Sequence, residues 1–164
     1  MSSAMRPTAV PTAYEVRELF EGMLGRDVEW NGDSPGVDVL DGATVAMYVD
    51  DVGALAAVAL ADVALTARAG SAIGLLPPAT AEQSVADSFV TPAQFDNMVE
   101  ILNVAASLLN KPDTPHLRLR DTFSPRETVP AEVAALALEP AGRIDGELSV
   151  QGYGAGRISI VVVF

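Results

Sequence analysis

The chain has 164 residues, of which 49% are hydrophobic, so it is long enough for one domain with a substantial core. It has no cysteine and a single histidine, His116, which excludes disulfides and thiolate metal sites and leaves little room for a Ser-His-Asp triad. The formal net charge of -12 disfavours nucleic acid and anionic membranes as partners and favours a partner with a locally basic docking face.

The ends of the chain and its apolar stretches indicate where the domain lies. Residues 1–11 hold two prolines and small residues, which predicts a flexible tail. The opening segment lacks the apolar core of a signal peptide, and charged residues interrupt the apolar stretch from Val52 to Leu76. We therefore expect a single cytoplasmic domain over residues 12–164, with no membrane span.

The first half of this domain begins with an amphipathic helix. Thr12 is a suitable N-cap, Glu15 completes a capping box, and Gly25 is a suitable C-cap. Two strands, 37–40 and 43–49, are then predicted, joined by a hairpin at Asp41-Gly42.

The next segment is rich in alanine, which favours a helix over residues 53–68. Asp51 is the predicted N-cap of that helix. Residues 73–84 are predicted to be a loop, because Pro77-Pro78 prevents a helix from continuing.

The second half repeats the order of helix and strands. Thr91 as N-cap and Pro92 at the first position predict a helix that runs to about Asn110, before Lys111-Pro112. A strand is predicted over 116–120, and residues 131–138 are ambiguous between helix and strand. Segments 143–151 and 157–164 alternate and flank a glycine-rich loop, which indicates a terminal hairpin.

The predicted helix over residues 92–110 carries a polar stripe. A rotation of about 100° per residue places Asp96, Glu100, Asn103 and Ser107 in one band, opposite an apolar stripe that includes Met98 and Leu102. A carboxylate can anchor a cation, and a carboxamide can orient a water molecule because it donates and accepts hydrogen bonds. Taken alone, the stripe is what solvation of an outward helix face requires, and without further context that interpretation is favoured.

The stretch from Asp96 through Glu100 to Asn103 resembles the Asp/Ser-x3-Glu-x2-Asn signature of the CheC/CheX/FliY phosphatases of bacterial chemotaxis. That signature continues to a proline a little over twenty residues later, and Pro125 stands there, one residue closer to Asn103 than is usual. The resemblance implies an α/β (α+β) fold: a pseudo-twofold repeat of helix and antiparallel strands, with two long helices packed on a sheet.

The resemblance also implies a function, the removal of phosphate from the aspartyl phosphate of a CheY-like receiver domain. Glu100 would pair with a receiver lysine and Asn103 would orient the attacking water, with Asp96, Ser107 and Pro125 in supporting roles. This chain would bind no cofactor of its own, because the receiver supplies Mg²⁺. The alternatives are a receiver-binding or motor-switch adaptor without activity and an unrelated protein whose stripe is only solvated.

A comparison of the two predicted halves indicates how many such sites there are. Setting Asp51 against Asp96 places Leu55 opposite Glu100 and Val58 opposite Asn103, so one site per chain is expected, as in CheX-like members. CheX-like proteins tend to dimerise, and Ile101, Val104 and Leu108 would serve such a contact or fill a second core face. Arg118, Arg120 and Arg126 are surface charges or contacts for an acidic receiver, and we favour the first interpretation.

Overall fold

The computed structural model describes residues 5–163, and residues 1–4 and Phe164 lie outside that range. The helices are α1 (Ala13–Leu24), α2 (Val63–Ile73), α3 (Pro78–Asp87), α4 (Pro92–Val104), α5 (Ala106–Leu109) and α6 (Ala131–Ala137). The strands are β1 (Val28–Asn31), β2 (Ala43–Val49), β3 (Leu55–Asp62), β4 (Arg118–Phe123), β5 (Arg143–Val150) and β6 (Gly154–Val162). A single 3-10 turn covers Val39–Asp41.

The strands form one sheet in the order β1-β5-β6-β3-β2-β4, and every neighbouring pair is antiparallel. The chain repeats the succession of one helix and three strands, first as α1, β1, β2 and β3 and then as α4, β4, β5 and β6. When each strand is exchanged for its counterpart, the strand order is the same list read from the other edge of the sheet. The 3-10 turn and α6 occupy equivalent places, each between the edge strand and the hairpin of its half. The predicted pseudo-twofold α+β fold is therefore confirmed.

The sheet has a core on each face. On one face α1, α2 and α4 pack against the strands and enclose the larger core, which includes Phe20, Leu65, Met98 and Leu102. On the other face α6 packs against β3 and β6 over a smaller core that includes Val45, Leu60 and Val133. No helix within residues 5–163 is long and apolar enough to cross a bilayer.

The predicted helix over residues 53–68 is wrong, because its first half forms β3, a strand inside the sheet. Alternate alanines of β3 lie in the larger core, at Ala57, Ala59 and Ala61. Their small side chains let α2 lie close to the sheet, and Gly156 of β6 contributes in the same way, since a Cβ there would lie 2.3 Å from the backbone of Leu65. Tertiary packing thus overrides the helix propensity of alanine.

The predicted N-cap at Asp51 is wrong for the same reason. Residues 50–54 form the turn between β2 and β3, in which the Asp50 carboxylate accepts hydrogen bonds from the amides of Val52 and Ala54. The N-cap of α2 is Asp62, whose carboxylate accepts a hydrogen bond of 2.7 Å from the Leu65 amide.

Three other predicted segments differ from the structure. Residues 37–40 form no strand, because Asp38 caps the 3-10 turn instead. The predicted loop over 73–84 contains most of α3, in which Pro78 occupies the first turn, where the missing amide hydrogen has no cost. The strand predicted over 116–120 begins and ends slightly later, as β4.

The predicted ends of the two long helices are confirmed. Thr12 and Thr91 both form capping boxes, with Glu15 and Gln94 respectively, and Gly25 ends α1 in the left-handed conformation. The terminal hairpin is also confirmed as β5 and β6, and the ambiguous segment 131–138 is helical.

The described part of the predicted tail, residues 5–11, contacts the domain. The Arg6 amide donates a hydrogen bond of 2.6 Å to the Asp113 carbonyl, and Pro11 is buried. The flexibility of this segment stays a prediction.

Helix α4 is held against α2 by a close approach of the two backbones. A Cβ at Gly70 of α2 would lie 2.4 Å from the carbonyl oxygen of Gln94. The fully buried Gln94 carboxamide donates to Ser71 of α2 and accepts from Ser84 of α3. The side-chain carboxamide of Asn97 donates a hydrogen bond of 2.8 Å to the Gly70 carbonyl, so the position of α4 is defined by backbone and buried polar contacts.

We expect Gly70→Ala to lower the free energy of unfolding by about 1–3 kcal/mol, because the new methyl group forces α2 and α4 apart. The measurement is urea unfolding. The control is Gly22→Ala in α1, where no atom lies within 4 Å of the added Cβ. There the better helix propensity of alanine should raise stability by roughly 0.5–1 kcal/mol. Similar gains for both variants would contradict the close approach.

A second connection joins α1 to the segment that follows α5. The Lys111 ammonium forms an ion pair with the Glu15 carboxylate, which also accepts a hydrogen bond from the Thr12 amide. The hydrogen bond from Lys111, and then that from Thr12, lowers the pKa of Glu15 below its ordinary value of 4.5. A carboxyl group with a lowered pKa stabilises the folded state above its unfolded pKa, and this stabilisation is lost as the pH falls through the folded value.

Lys111→Met should therefore lower the free energy of unfolding at pH 7 by roughly 0.2–1 kcal/mol, as for a partly exposed pair. The difference from wild type should shrink as the pH falls through the lowered pKa of Glu15 in the folded protein, because protonation removes the carboxylate that pairs with Lys111. Unfolding curves at pH 7 and pH 3 measure this, with Lys111→Arg as the variant that keeps the charge. An equal loss at both pH values would rule out the ion pair as its cause.

Candidate functional site

The polar stripe predicted on the helix over 92–110 faces solvent. Asp96, Glu100 and Asn103 are exposed on α4, and Ser107 is exposed on α5. Among residues 5–163, no side chain forms a hydrogen bond or ion pair with the side chains of Asp96, Glu100 or Asn103. The carboxylates and the carboxamide are therefore available to a partner.

Glu100 and Asn103 are the closest pair in this stripe. Residues three apart on a helix have Cβ atoms about 5–6 Å apart, so both side chains can reach one small target. Asp96 lies one turn before Glu100, and the helical rise puts it roughly 10 Å from Asn103 along the axis. The stripe thus has a compact centre, Glu100 with Asn103, and an acidic extension towards the start of α4.

The predicted single helix has a break at Ala105, just after Asn103. The backbone of Ala105 stays in the right-handed helical region, with φ -60° and ψ -20°, so Ser107 remains on roughly the same face. At this break the Tyr48 hydroxyl of β2 donates a hydrogen bond of 2.6 Å to the carbonyl of Leu102. Burial raises the pKa of Tyr48, which keeps the phenol protonated as a donor.

The three apolar residues considered for a dimer contact differ in their burial. Ile101 is fully buried in the larger core together with Met98 and Leu102, so it has no surface for a dimer contact. Leu108 packs against the same core, whereas the Val104 side chain is 40% exposed. The homodimer stays a prediction.

Pro125 is not brought together with Glu100 and Asn103. It lies in a turn after β4 and lines a cavity of about 310 Å³ beside the start of α4, together with Pro92 and Phe95. Phe95 and Asn103 are about 12 Å apart along the helix axis, so Pro125 lies beside the start of the helix rather than its centre.

Arg118, Arg120 and Arg126 lie in different surroundings. Arg118 pairs with Val49 across the strands, so its side chain points to the sheet face that α6 covers. Arg120 lies at the bulge in β4 and donates to the Gly53 carbonyl. Only Arg126 lines the cavity at the start of α4, where its guanidinium lies 5.2 Å from the centre of the Phe89 ring.

Sequence patterns did not indicate Tyr48, Gln94 or Phe89 as parts of this region. Tyr48 and Gln94 act through contacts between elements that are distant in the chain. Phe89 follows Ser88, which adopts a left-handed conformation with φ 51° although it carries a side chain. No residue-type signal marks such a turn, because glycine or asparagine is its usual sign.

The pseudo-twofold fold identifies the true counterpart of α4 as α1, so the earlier comparison through Asp51, Leu55 and Val58 is wrong. Matching the N-caps Thr12 and Thr91 places Arg17, Glu21 and Leu24 opposite Asp96, Glu100 and Asn103.

Helix α1 does not present a second copy of the stripe. The Glu21 carboxylate is occupied by Arg17, at 2.8 Å, and by the amide of Val28. Leu24 is buried in the larger core. Neither position offers a free polar group, so α4 carries the candidate site alone among these two helices.

No group of three or more His, Cys, Asp or Glu side chains in the described part of the chain is arranged to hold a metal ion. The chemistry available at the stripe is that of exposed oxygen and amide groups.

Comparison with known proteins identifies the fold. No family model matches this chain, and no curated protein matches it either. The crystal structure of the FliM middle domain from H. pylori aligns over 92% of this chain and 84% of its own, with 9% identity and a TM-score of 0.58. FliY from Thermotoga maritima aligns over 90% and 82%, with 14% identity and a TM-score of 0.53.

These alignments define the class: the chain has the fold that FliM middle domains and FliY share, as the resemblance to the CheC/CheX/FliY proteins implied. A CheX–CheY complex from Borrelia burgdorferi aligns with 7% identity and a TM-score of 0.45. That overlap is too low to place this chain nearer to CheX than to FliM. Identities this low show the fold alone.

We expect Tyr48→Phe to lower the free energy of unfolding by about 1–3 kcal/mol, because it leaves the buried Leu102 carbonyl without its donor. Tyr14→Phe is the control, since Tyr14 is 66% exposed. Removal of its hydroxyl group should change the free energy of unfolding by less than about 0.5 kcal/mol. Urea unfolding measures both. Equal effects would show that the hydrogen bond at the end of α4 does not hold the helix.

Proposed function

We propose that this protein is a CheX-like phosphatase that removes phosphate from the aspartyl phosphate of a CheY-like receiver domain. The observation that carries the proposal is the pair Glu100 and Asn103, which is exposed and has no side-chain partner within residues 5–163, on a helix whose position is defined by buried contacts. The fold shared with FliY supports it.

In this proposal Glu100 is the docking residue. Its carboxylate would form an ion pair with the lysine at the receiver's phosphorylation site, which directs the end of α4 into that site. The net charge of -12 does not oppose such docking, because a local ion pair can outweigh a screened long-range repulsion.

Asn103 is the catalytic residue in this proposal. Its carboxamide would accept a hydrogen bond from a water molecule and hold it in line with the bond to be broken. The water oxygen forms a bond to phosphorus while the bond between phosphorus and the aspartate oxygen breaks. The electron pair of that bond stays on the carboxylate, and both protons of the water leave on the dihydrogen phosphate product.

The remaining groups would have supporting roles. The receiver's Mg²⁺ would neutralise charge on the phosphoryl oxygens, and this chain would contribute no ligand to it. Asp96 and Ser107 would border the docking surface on either side of the central pair. Tyr48 would keep the backbone before Asn103 in place, which matters because a displacement of about 1 Å can cost roughly 10²-fold in rate.

The alternative is an adaptor that binds a receiver, or a motor-switch component, without hydrolysis. The fold shared with the FliM middle domain favours it. In an adaptor the pair would serve for recognition only, so binding would depend on Glu100 and the phosphorylated state would keep its intrinsic lifetime.

The test uses receiver domains from the same genome, phosphorylated with acetyl phosphate, and follows phosphate release. Wild-type protein should accelerate the decay of one of them. Asn103→Ala should lower the rate at saturation by about 10²-fold, since it removes the group that positions the water. Glu100→Ala should mainly raise the receiver concentration needed for half-maximal rate.

The matched control is Glu132→Ala on α6, which removes an exposed carboxylate from the opposite face of the sheet. This variant should keep the wild-type rate. Binding without acceleration would favour the adaptor, and neither binding nor acceleration with any receiver would overturn both candidates.

A further inference from the structure

An apolar cavity with a single cation at its rim lies beside the polar stripe. Val90, Pro92, Phe95 and Pro125 line it, and Arg126 stands at its edge. Pro92 is one helical turn before Asp96 on the same exposed face of α4, so the cavity and the stripe form one continuous surface.

One wall of the cavity is formed by the turn after α3. The amides of Ser88 and Phe89 donate to the carbonyls of Val85 and Ser84 respectively, which closes the end of the helix with Ser88 in the left-handed region. A residue with a side chain is strained there by about 1–2 kcal/mol. The strained turn presents Phe89 outward, with 45% of the side chain exposed.

The opposite wall is a short turn that holds Arg126. The Glu127 amide donates to the Ser124 carbonyl at 3.0 Å, with Pro125 at the second position, which proline favours in such turns. The Glu127 carboxylate accepts from the Ser124 amide at 3.0 Å, so it serves the turn rather than Arg126. The orientation of Arg126 is therefore determined by a turn that two hydrogen bonds between Ser124 and Glu127 hold, and by the ring of Phe89.

Arg126 has no carboxylate partner within residues 5–163, although the chain has 22 acidic residues. Arg17, Arg68, Arg143 and Arg157 each form an ion pair within the chain. An unpaired guanidinium over an exposed aromatic ring is a typical centre of a protein interface, since arginine and aromatic residues dominate binding energy there.

We infer that the surface formed by Phe89, Phe95, Pro125 and Arg126 is a second docking point for the receiver, one that determines which receiver is accepted. An apolar side chain of the receiver would occupy the cavity, and a neighbouring carboxylate of the receiver would form an ion pair with Arg126. This inference rests on the proposed function, because the receiver is the partner that the adjacent stripe would bring to this face. Its member on α4, Phe95, is about 12 Å from Asn103 along the helix axis, so the surface contributes to binding and not to the chemical step.

Binding is measured with a fluorescent receiver domain held in its activated form by beryllofluoride, so that turnover is not needed. Arg126→Glu and Phe89→Ala should each raise the Kd about tenfold, as for central interface residues. The effect of Arg126→Glu should diminish at high salt, since salt screens an exposed ion pair. The dephosphorylation rate at saturating receiver should stay within about twofold of wild type.

The matched control is Arg118→Glu, which makes the same change in net charge on the other face of the sheet. It should change the Kd by less than about twofold. Equal weakening by Arg118→Glu and Arg126→Glu would overturn the inference, because net charge alone would then explain both. Unfolding midpoints of each variant establish that the fold is intact.

The two proposals fail in different ways. Tight binding that depends on Arg126 without faster dephosphorylation would contradict the phosphatase and support the docking surface. Dephosphorylation that depends on Asn103 but is indifferent to Phe89 and Arg126 would contradict the docking surface alone. Failure of every receiver to bind wild-type protein would overturn both.

Discussion

The close approach of α2 and α4 is the constraint on which the arrangement of this molecule depends. At Gly70 there is no room for a Cβ, so the backbone of Gln94 contacts the backbone of α2 directly. The buried Gln94 carboxamide then links α2, α3 and α4 through Ser71 and Ser84. A buried polar group must find partners or destabilise the fold, so this network permits few alternative positions of α4.

This constraint explains why the outer face of α4 is not needed to hold the helix in place. The contacts that hold the helix come from its inner side, through Gln94, Asn97 and Met98, and from Tyr48 below its last turn. None of them uses Asp96, Glu100 or Asn103. A helix held in this way, whose outward polar side chains form no hydrogen bond or ion pair within residues 5–163, is well suited to recognition, since a helix already held in place loses little conformational entropy when a partner binds.

The features that could be predicted from sequence are those determined within a few residues. The capping boxes at Thr12 and Thr91, and the alternation in the terminal hairpin, depend on neighbours in the chain. The strand β3 could not be predicted, because its alanines are selected by the closeness of α2 to the sheet rather than by local propensity. The position of the stripe followed from helical periodicity, whereas the separation of Arg126 from Arg118 depends on which sheet face each one reaches.

The pseudo-twofold symmetry of the fold makes the difference between its halves informative. Helices α1 and α4 have the same cap and equivalent places over the sheet, yet their outward positions are used in opposite ways. In α1 the Glu21 carboxylate accepts hydrogen bonds from the Arg17 guanidinium and from the first amide of β1, and Leu24 is buried in the core. In α4 the equivalent Glu100 and Asn103 are left to solvent. Because the same positions can clearly be recruited for stability, solvation alone is a weaker explanation of the α4 stripe than recognition of a partner.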